Sequence, residues 1–61
     1  MSLWELDLKA AEILLAHYER MVDGLNKGYE AGTTGPRTVA EAILAWKLQA
    51  IEVERVKLRK P

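Results

Sequence analysis

The chain has no cysteine and only one histidine among its 61 residues. Without cysteine, neither a disulfide nor a thiolate metal site can form. A single histidine also excludes a metal site built from several histidines of one chain. In a chain of this size a single hydrophobic core usually supplies no more than roughly 3 to 5 kcal/mol, and such chains add disulfides, a metal or a second copy. Self-association is the option that the sequence leaves open.

The sequence also lacks net charge and long apolar runs. Nine basic and nine acidic residues balance, which argues against attraction to nucleic acid or an anionic membrane and favours a protein partner. The longest apolar run, residues 42–46, is far shorter than the roughly 20 residues that span a bilayer. No secretory signal pattern is present. We expect a soluble cytoplasmic protein without a membrane segment.

Apolar residues in the first half of the chain recur at alternating steps of four and three, which is the pattern of a helical seam. A second line with the same alternation runs beside it, and one partner helix cannot cover both. The first line contains Trp4, Leu8, Ala11, Leu15, Tyr18, Val22, Leu25 and Tyr29, and the second line contains Ala10, Leu14, His17, Met21, Gly24 and Gly28. Asp7 is the exception on this apolar side, and the pattern does not explain it.

A capping-box pattern, Ser2 followed by Glu5, predicts that a first helix starts at residue 3. Its end is ambiguous because glycines recur after it, at Gly24, Gly28, Gly32 and Gly35. A stop at Asp23 would leave a connection that is long for a compact hairpin. We predict a helix over about residues 3–31, with Gly32 as its C-terminal stop, because the first line keeps its register throughout.

Residues 32–37 have the composition of a turn. Thr38 and Glu41 repeat the capping-box spacing and predict a second helix over about residues 39–59. This helix also has two apolar lines, one with Val39, Ile43, Trp46, Ala50 and Val53 and the other with Ala40, Leu44, Leu48, Ile51 and Leu58.

A short link between two long helices predicts an antiparallel hairpin that occupies residues 1–61 as one unit. Its halves have opposite charge, since residues 1–30 carry three basic and six acidic groups and residues 31–61 carry six and three. Counted from the turn, the first helix outruns the second by about 12 Å. A second copy would cover this overhang and the second lines. We therefore predict an all-α fold, an antiparallel helical hairpin that pairs with a second copy into a four-helix bundle.

The predicted oligomer interface contains Leu3, Trp4, Leu6, Ala10, Ile13, Leu14, His17, Met21, Leu44, Leu48 and Ile51. His17 is the one side chain that ordinarily changes its charge near neutral pH. It is either a pH-sensitive or metal-contacting residue or, as we favour, a histidine with satisfied nitrogens at a helix contact. The Glu-x-x-His motif of carboxylate-bridged metal bundles is absent, since Leu14 stands three residues before His17. We predict no metal and no cofactor.

Three further patterns have a functional and a structural interpretation. The spacing of Gly24 and Gly28 suits close helix packing, but it also fits fraying before the turn or contact with a ligand. Arg37 and Thr38 at the start of the second helix suggest an anion contact, although a plain turn with a threonine cap is the simpler interpretation. An evenly spaced row of carboxylates is interpreted as a solvated edge, since its members are about 10.5 Å apart, too far for paired acid and base catalysis; the row is Glu5, Glu12 and Glu19.

The last turns of the second helix are modestly basic, with Arg55, Lys57, Arg59 and Lys60. These residues point in different directions and no aromatic residue is interleaved with them, so the pattern is weak for nucleic acid. The preferred hypothesis is a small non-enzymatic protein-protein interaction module, acting as an assembly subunit, adaptor or regulator. The alternative is a nucleic-acid-binding regulator built on the same bundle. An enzyme whose site forms across chains is a third, weaker possibility.

Overall fold

The computed structural model describes residues 1–61, which form two helices, α1 at Leu3–Glu30 and α2 at Pro36–Leu58. The start of α1 is capped as the sequence predicts. The amide of Glu5 donates to Ser2 Oγ at 3.1 Å, and the amide of Ser2 donates to Glu5 Oε1 at 3.3 Å. The helix continues through Asp23 without a break. The predicted continuation, rather than the alternative stop, is therefore confirmed.

The turn closes α1 with paired backbone hydrogen bonds that need a left-handed residue. Gly32 has a φ of +81°, which glycine adopts without a steric penalty. Its amide donates to the carbonyl of Tyr29 at 3.0 Å, and the amide of Thr33 donates to the carbonyl of Gly28 at 2.8 Å. This is the Schellman arrangement, and it satisfies two of the carbonyls that a helix end leaves free. Gly32 thus ends α1 as predicted.

The start of α2 differs from the prediction. The helix begins at Pro36, and its N-cap is Gly35, which has no side chain to cap with. The predicted start at residue 39 with a Thr38 cap is wrong, because proline at the first helical position already has the required φ and has no amide to leave unsatisfied. Thr38 lies inside the first turn. The helix ends at Leu58, one residue before the predicted end.

The two helices pack antiparallel, which confirms the all-α hairpin. The packed face of α1 is its predicted first line, whereas the packed face of α2 also includes Ala42 and Val56, which are buried and belong to neither predicted line. Every member of the first line of α1 is buried or half-buried except Tyr29, at the turn end. The fully buried residues are few and come mainly from α2: Val22, Val39, Ala42, Val53 and Val56. The core is one layer of side chains between two helices in a rod of 47 × 16 × 10 Å.

The open end of the hairpin is closed by Trp4, and the predicted overhang of α1 is absent. The Trp4 indole Nε1 donates to the carbonyl of Val56 at 2.6 Å, and the Lys60 ammonium lies 5.8 Å from the centre of the Trp4 ring. Farther along, Gln49 Nε2 donates to the carbonyl of Ala11 at 3.0 Å. The overhang is absent because α2 starts three residues earlier than predicted and because the turn folds back over the last turn of α1, where Thr34 lies against Gly28.

Candidate interaction surface

The second line of α1 is not covered by α2. Each of its members directly precedes a member of the first line, so it lies about 100° around the helix. Leu14 is 40% exposed, and the neighbouring Ile13 and Leu6 are 62% and 49% exposed. Ala10 and His17 are exposed as well, while Met21 is half-buried. Most of the predicted interface residues of α1 are therefore accessible side by side.

The predicted interface residues of α2 form a separate apolar face. Leu44, Leu48 and Ile51 are 58%, 56% and 55% exposed. At 100° per residue they lie on the side of α2 opposite to Val39, Trp46 and the other residues that face α1. The helix is thus apolar on two opposite sides.

The exposed faces of the two helices do not merge into one surface. Trp46 borders the flank of α1 that carries Glu19 and Asn26, which is the flank away from the second line. On the other flank, beside the second line, an antiparallel α2 presents Ala45 and Glu52, both half-buried. The structure therefore does not bring all the predicted interface residues together, because polar and small residues separate the two faces.

Trp4 differs from the other predicted interface residues. It is half-buried, and its indole is engaged with Val56 and Lys60 of its own chain. Leu3, one residue earlier, is 81% exposed. Their different environments follow from the step of one residue, which places Leu3 about 100° around the helix from Trp4.

Sequence reasoning did not assign Arg20 to this surface. A shallow apolar depression on α1 is lined by Ala10, Ile13, Leu14 and His17, and Arg20 lies at its edge. Arg20 stands three residues after His17 and seven after Ile13, so helical spacing alone gives it this position. Neither Arg20 nor Asp7 takes part in an ion pair within the chain.

The two helical glycines have different surroundings. A side chain at Gly28 would collide with Thr34 Oγ1, so the turn folds closely over this residue of its own chain. At Gly24 an added Cβ would meet no atom within 4 Å. Nothing inside the chain accounts for glycine there, although it costs an interior helix position about 1 kcal/mol relative to alanine. The helix does not fray before the turn.

His17 is exposed, and its ring lies 5.8 Å from the ring of Tyr18 at an angle of 54°. No group of three or more His, Cys, Asp and Glu side chains is close enough to hold a metal ion. At the start of α2, Arg37 faces Glu41 at 3.8 Å, and both side chains are largely exposed. Thr38 does not cap the helix, and neither Arg37 nor Thr38 lines any depression of the surface.

The basic residues at the end of α2 all have partners within the chain. Lys57 lies 3.4 Å from Glu54, while Arg55 and Arg59 lie 3.9 and 3.3 Å from Glu52. Lys60 lies over Trp4. Such exposed pairs contribute little to stability, but they interleave acidic groups with the basic ones and leave no continuous positive stripe.

Neither helix combines the length and the apolar character that crossing a bilayer requires. Comparison of the chain with models of protein families, with curated proteins and with solved structures finds no match. The interpretation of the exposed faces therefore rests on their own chemistry.

Proposed function

We propose that the protein is a small, non-enzymatic protein-protein interaction module that works as a homo-oligomeric helical bundle. Within a larger assembly it would serve as a subunit, an adaptor or a regulator. The smallest such assembly is a dimer of hairpins with four helices. Its working surfaces would be the exposed apolar faces of α1 and α2.

One observation carries this proposal. Ten large apolar side chains are at least 40% exposed, whereas only five residues of the chain are buried. A core of five small side chains gives a chain of this length little stability, and large contiguous apolar patches on a protein surface mark contact sites. Association would remove these side chains from water at roughly 25 cal/mol per Å², which is the stabilisation that the isolated hairpin lacks.

The presence of two separate faces favours an adaptor or assembly role over simple dimerisation. If one face binds a second copy, the other stays available to a different protein. The even balance of charge is compatible with a protein partner and offers no long-range attraction to nucleic acid.

The mass in solution tests the proposal. At micromolar concentration, light scattering should give at least twice the chain mass of 6.9 kDa, and the melting temperature should rise with concentration because association stabilises only the folded chain. A well-folded monomer with a concentration-independent melting temperature would overturn the proposal. Retention on heparin at physiological ionic strength would instead support the alternative of a nucleic-acid-binding regulator.

A further inference from the structure

The second line of α1 has a spacing that reads the same in both directions. Continued toward the start of the helix, it takes in Asp7 and Leu3, so that it runs along almost the whole of α1. The steps between its members are then 4, 3, 4, 3, 4, 3 and 4: Leu3, Asp7, Ala10, Leu14, His17, Met21, Gly24 and Gly28. A line with this property can pair with an inverted copy of itself, every member meeting a member.

We infer that α1 of one copy packs antiparallel against α1 of a second copy along this line. The two-fold axis crosses the interface at the level of residues 15–16, near the middle of the helix. The inference rests on the proposed self-association and specifies its surface and register. In this register the layers pair Leu3 with the partner's Gly28, Asp7 with the partner's Gly24, Ala10 with the partner's Met21, and Leu14 with the partner's His17.

Side-chain size supports the register. Leu3 meets glycine and Met21 meets alanine, so a large side chain faces a small residue in both layers, and helices approach closely where this holds. Leu3 is 81% exposed within one chain and therefore free to make the contact. Gly24 is opposite Asp7, and the open space above it is where the carboxylate of the second copy would lie. Two residues that a single hairpin leaves unexplained, Asp7 and Gly24, thus explain each other.

Charge supports the same register. On the partner helix, Arg20 and Lys27 stand one turn before and one turn after Gly24, so the carboxylate of Asp7 would lie between two cations. The remaining acidic groups of α1 lie on the far side of the helix, at Glu5, Glu12, Glu19, Asp23 and Glu30. A helix is roughly 10–12 Å thick, which exceeds the Debye length of about 8 Å at physiological salt. Repulsion between the two acidic helices is therefore largely screened.

The outer face of α2 is outside this contact. Leu44, Leu48 and Ile51 lie on the side of α2 that faces away from α1. The α2 residues beside the second line are Ala45 and Glu52 instead. They are as exposed and as apolar as the residues of the proposed interface, but substitutions there should not affect the pairing of the two α1 helices. They therefore provide matched control positions for the experiment.

Disulfide trapping tests the register, because the chain has no cysteine of its own. The double variant Ala10→Cys with Met21→Cys should form a disulfide-linked dimer on mild oxidation. A bond within one chain is impossible, since the positions are about 16 Å apart along the helix, far beyond disulfide reach. Each single variant should stay unlinked, as an antiparallel pair separates identical positions 10 by the same distance. The control with the same spacing on α2, Ala40→Cys with Ile51→Cys, should also stay unlinked.

The outcomes separate the register from the proposed function. Linkage of the single Ala10→Cys variant would indicate a parallel pair, and linkage of the α2 control alone would indicate pairing through α2. Either result, or an unlinked dimer of twice the chain mass, overturns the inference and leaves the proposed function standing. A monomeric mass for the unmodified chain removes both.

A size exchange provides a test without cysteine. Ala10→Met should crowd the partner's Met21, and Met21→Ala should leave a void, so each change should weaken dimerisation by at least roughly tenfold. Both changes in one chain exchange the two residues of the layer and should restore the dissociation constant to within roughly threefold of the original. Additive losses in the double variant would show that these positions do not meet.

Discussion

The two helices carry the same signals in the sequence but use them differently in the structure. Each has one tryptophan, yet Trp4 donates a hydrogen bond to the other helix while Trp46 donates none. Each has a capping-box pattern, yet only Ser2 caps its helix. In α1 the exposed apolar line lies about 100° around the helix from the line that packs against α2. In α2 the exposed apolar residues lie on the side opposite to the residues that pack against α1. The same sequence pattern therefore has a different structural role in each helix, because the neighbouring residues differ.

The largest expected effect is on dimerisation, and it differs between the exposed apolar faces of α1 and α2. Leu14→Glu should weaken dimerisation by more than roughly 100-fold, because it places an unpaired carboxylate between the packed α1 helices. Much of the helical circular dichroism should be lost with the dimer, since one hairpin buries so little. Leu48→Glu, at a position with more exposure in the single chain, should leave the mass unchanged. Equal dissociation by both variants would mean that the two faces act together.

A smaller effect distinguishes the two tryptophans. Trp4→Phe removes the indole donor to the carbonyl of Val56 and should cost about 1 kcal/mol of unfolding free energy beyond the loss of ring volume. Trp46→Phe loses the same ring volume without a hydrogen bond. For a chain of this size the difference corresponds to roughly 4–8 °C in melting temperature. Equal melting temperatures of the two variants would show that the bond at the open end does not contribute.

The smallest effect distinguishes the two capping-box patterns. Ser2→Ala should destabilise the hairpin by about 1 kcal/mol, because the amide of Glu5 loses its acceptor. Thr38→Ala should change the stability by less than about 0.5 kcal/mol, as expected for a surface position that caps nothing. Chemical unfolding of the two variants beside the unaltered chain provides the measurement. A larger loss for Thr38→Ala would place the start of α2 at residue 39 after all.

The sequence was sufficient to predict the hairpin because its signals are local. The period of the first line predicts a long α1 that continues past Asp23, and the composition of the turn places the reversal correctly. The capping box at Ser2 and the stop at Gly32 are each determined by residues within one turn of them. Such features depend on backbone chemistry, which neighbouring helices do not change.

The start of α2 and its packed face could not be predicted, because two alternatives fit the sequence pattern in each case. Pro36 and Thr38 both offer a helix start, and the proline prevails because its conformation is fixed before folding. This shift of three residues, together with a turn that folds back over Gly28, removes the predicted overhang and places Trp4 within the hairpin.

Likewise, the predicted first line of α2 omits Ala42 and Val56, which are buried. It includes Ile43 instead of Ala42 because steps of three and of four residues from Val39 fit the apolar pattern equally well. The sequence also does not say on which side of the hairpin the exposed line of α1 lies. The structure shows it, because Trp46 borders the opposite side of α1, beside Glu19 and Asn26.

The contact between Trp4 and Val56 has a geometric consequence for anything attached to the chain. It holds residues 1 and 61 at one pole of the rod, with the turn at the other pole of its 47 Å length. Fluorophores coupled to the two termini would transfer energy within a single molecule, and a fusion at either terminus would leave the turn unobstructed. In the proposed antiparallel α1 pair, the termini of the two copies would therefore lie at opposite ends of the assembly.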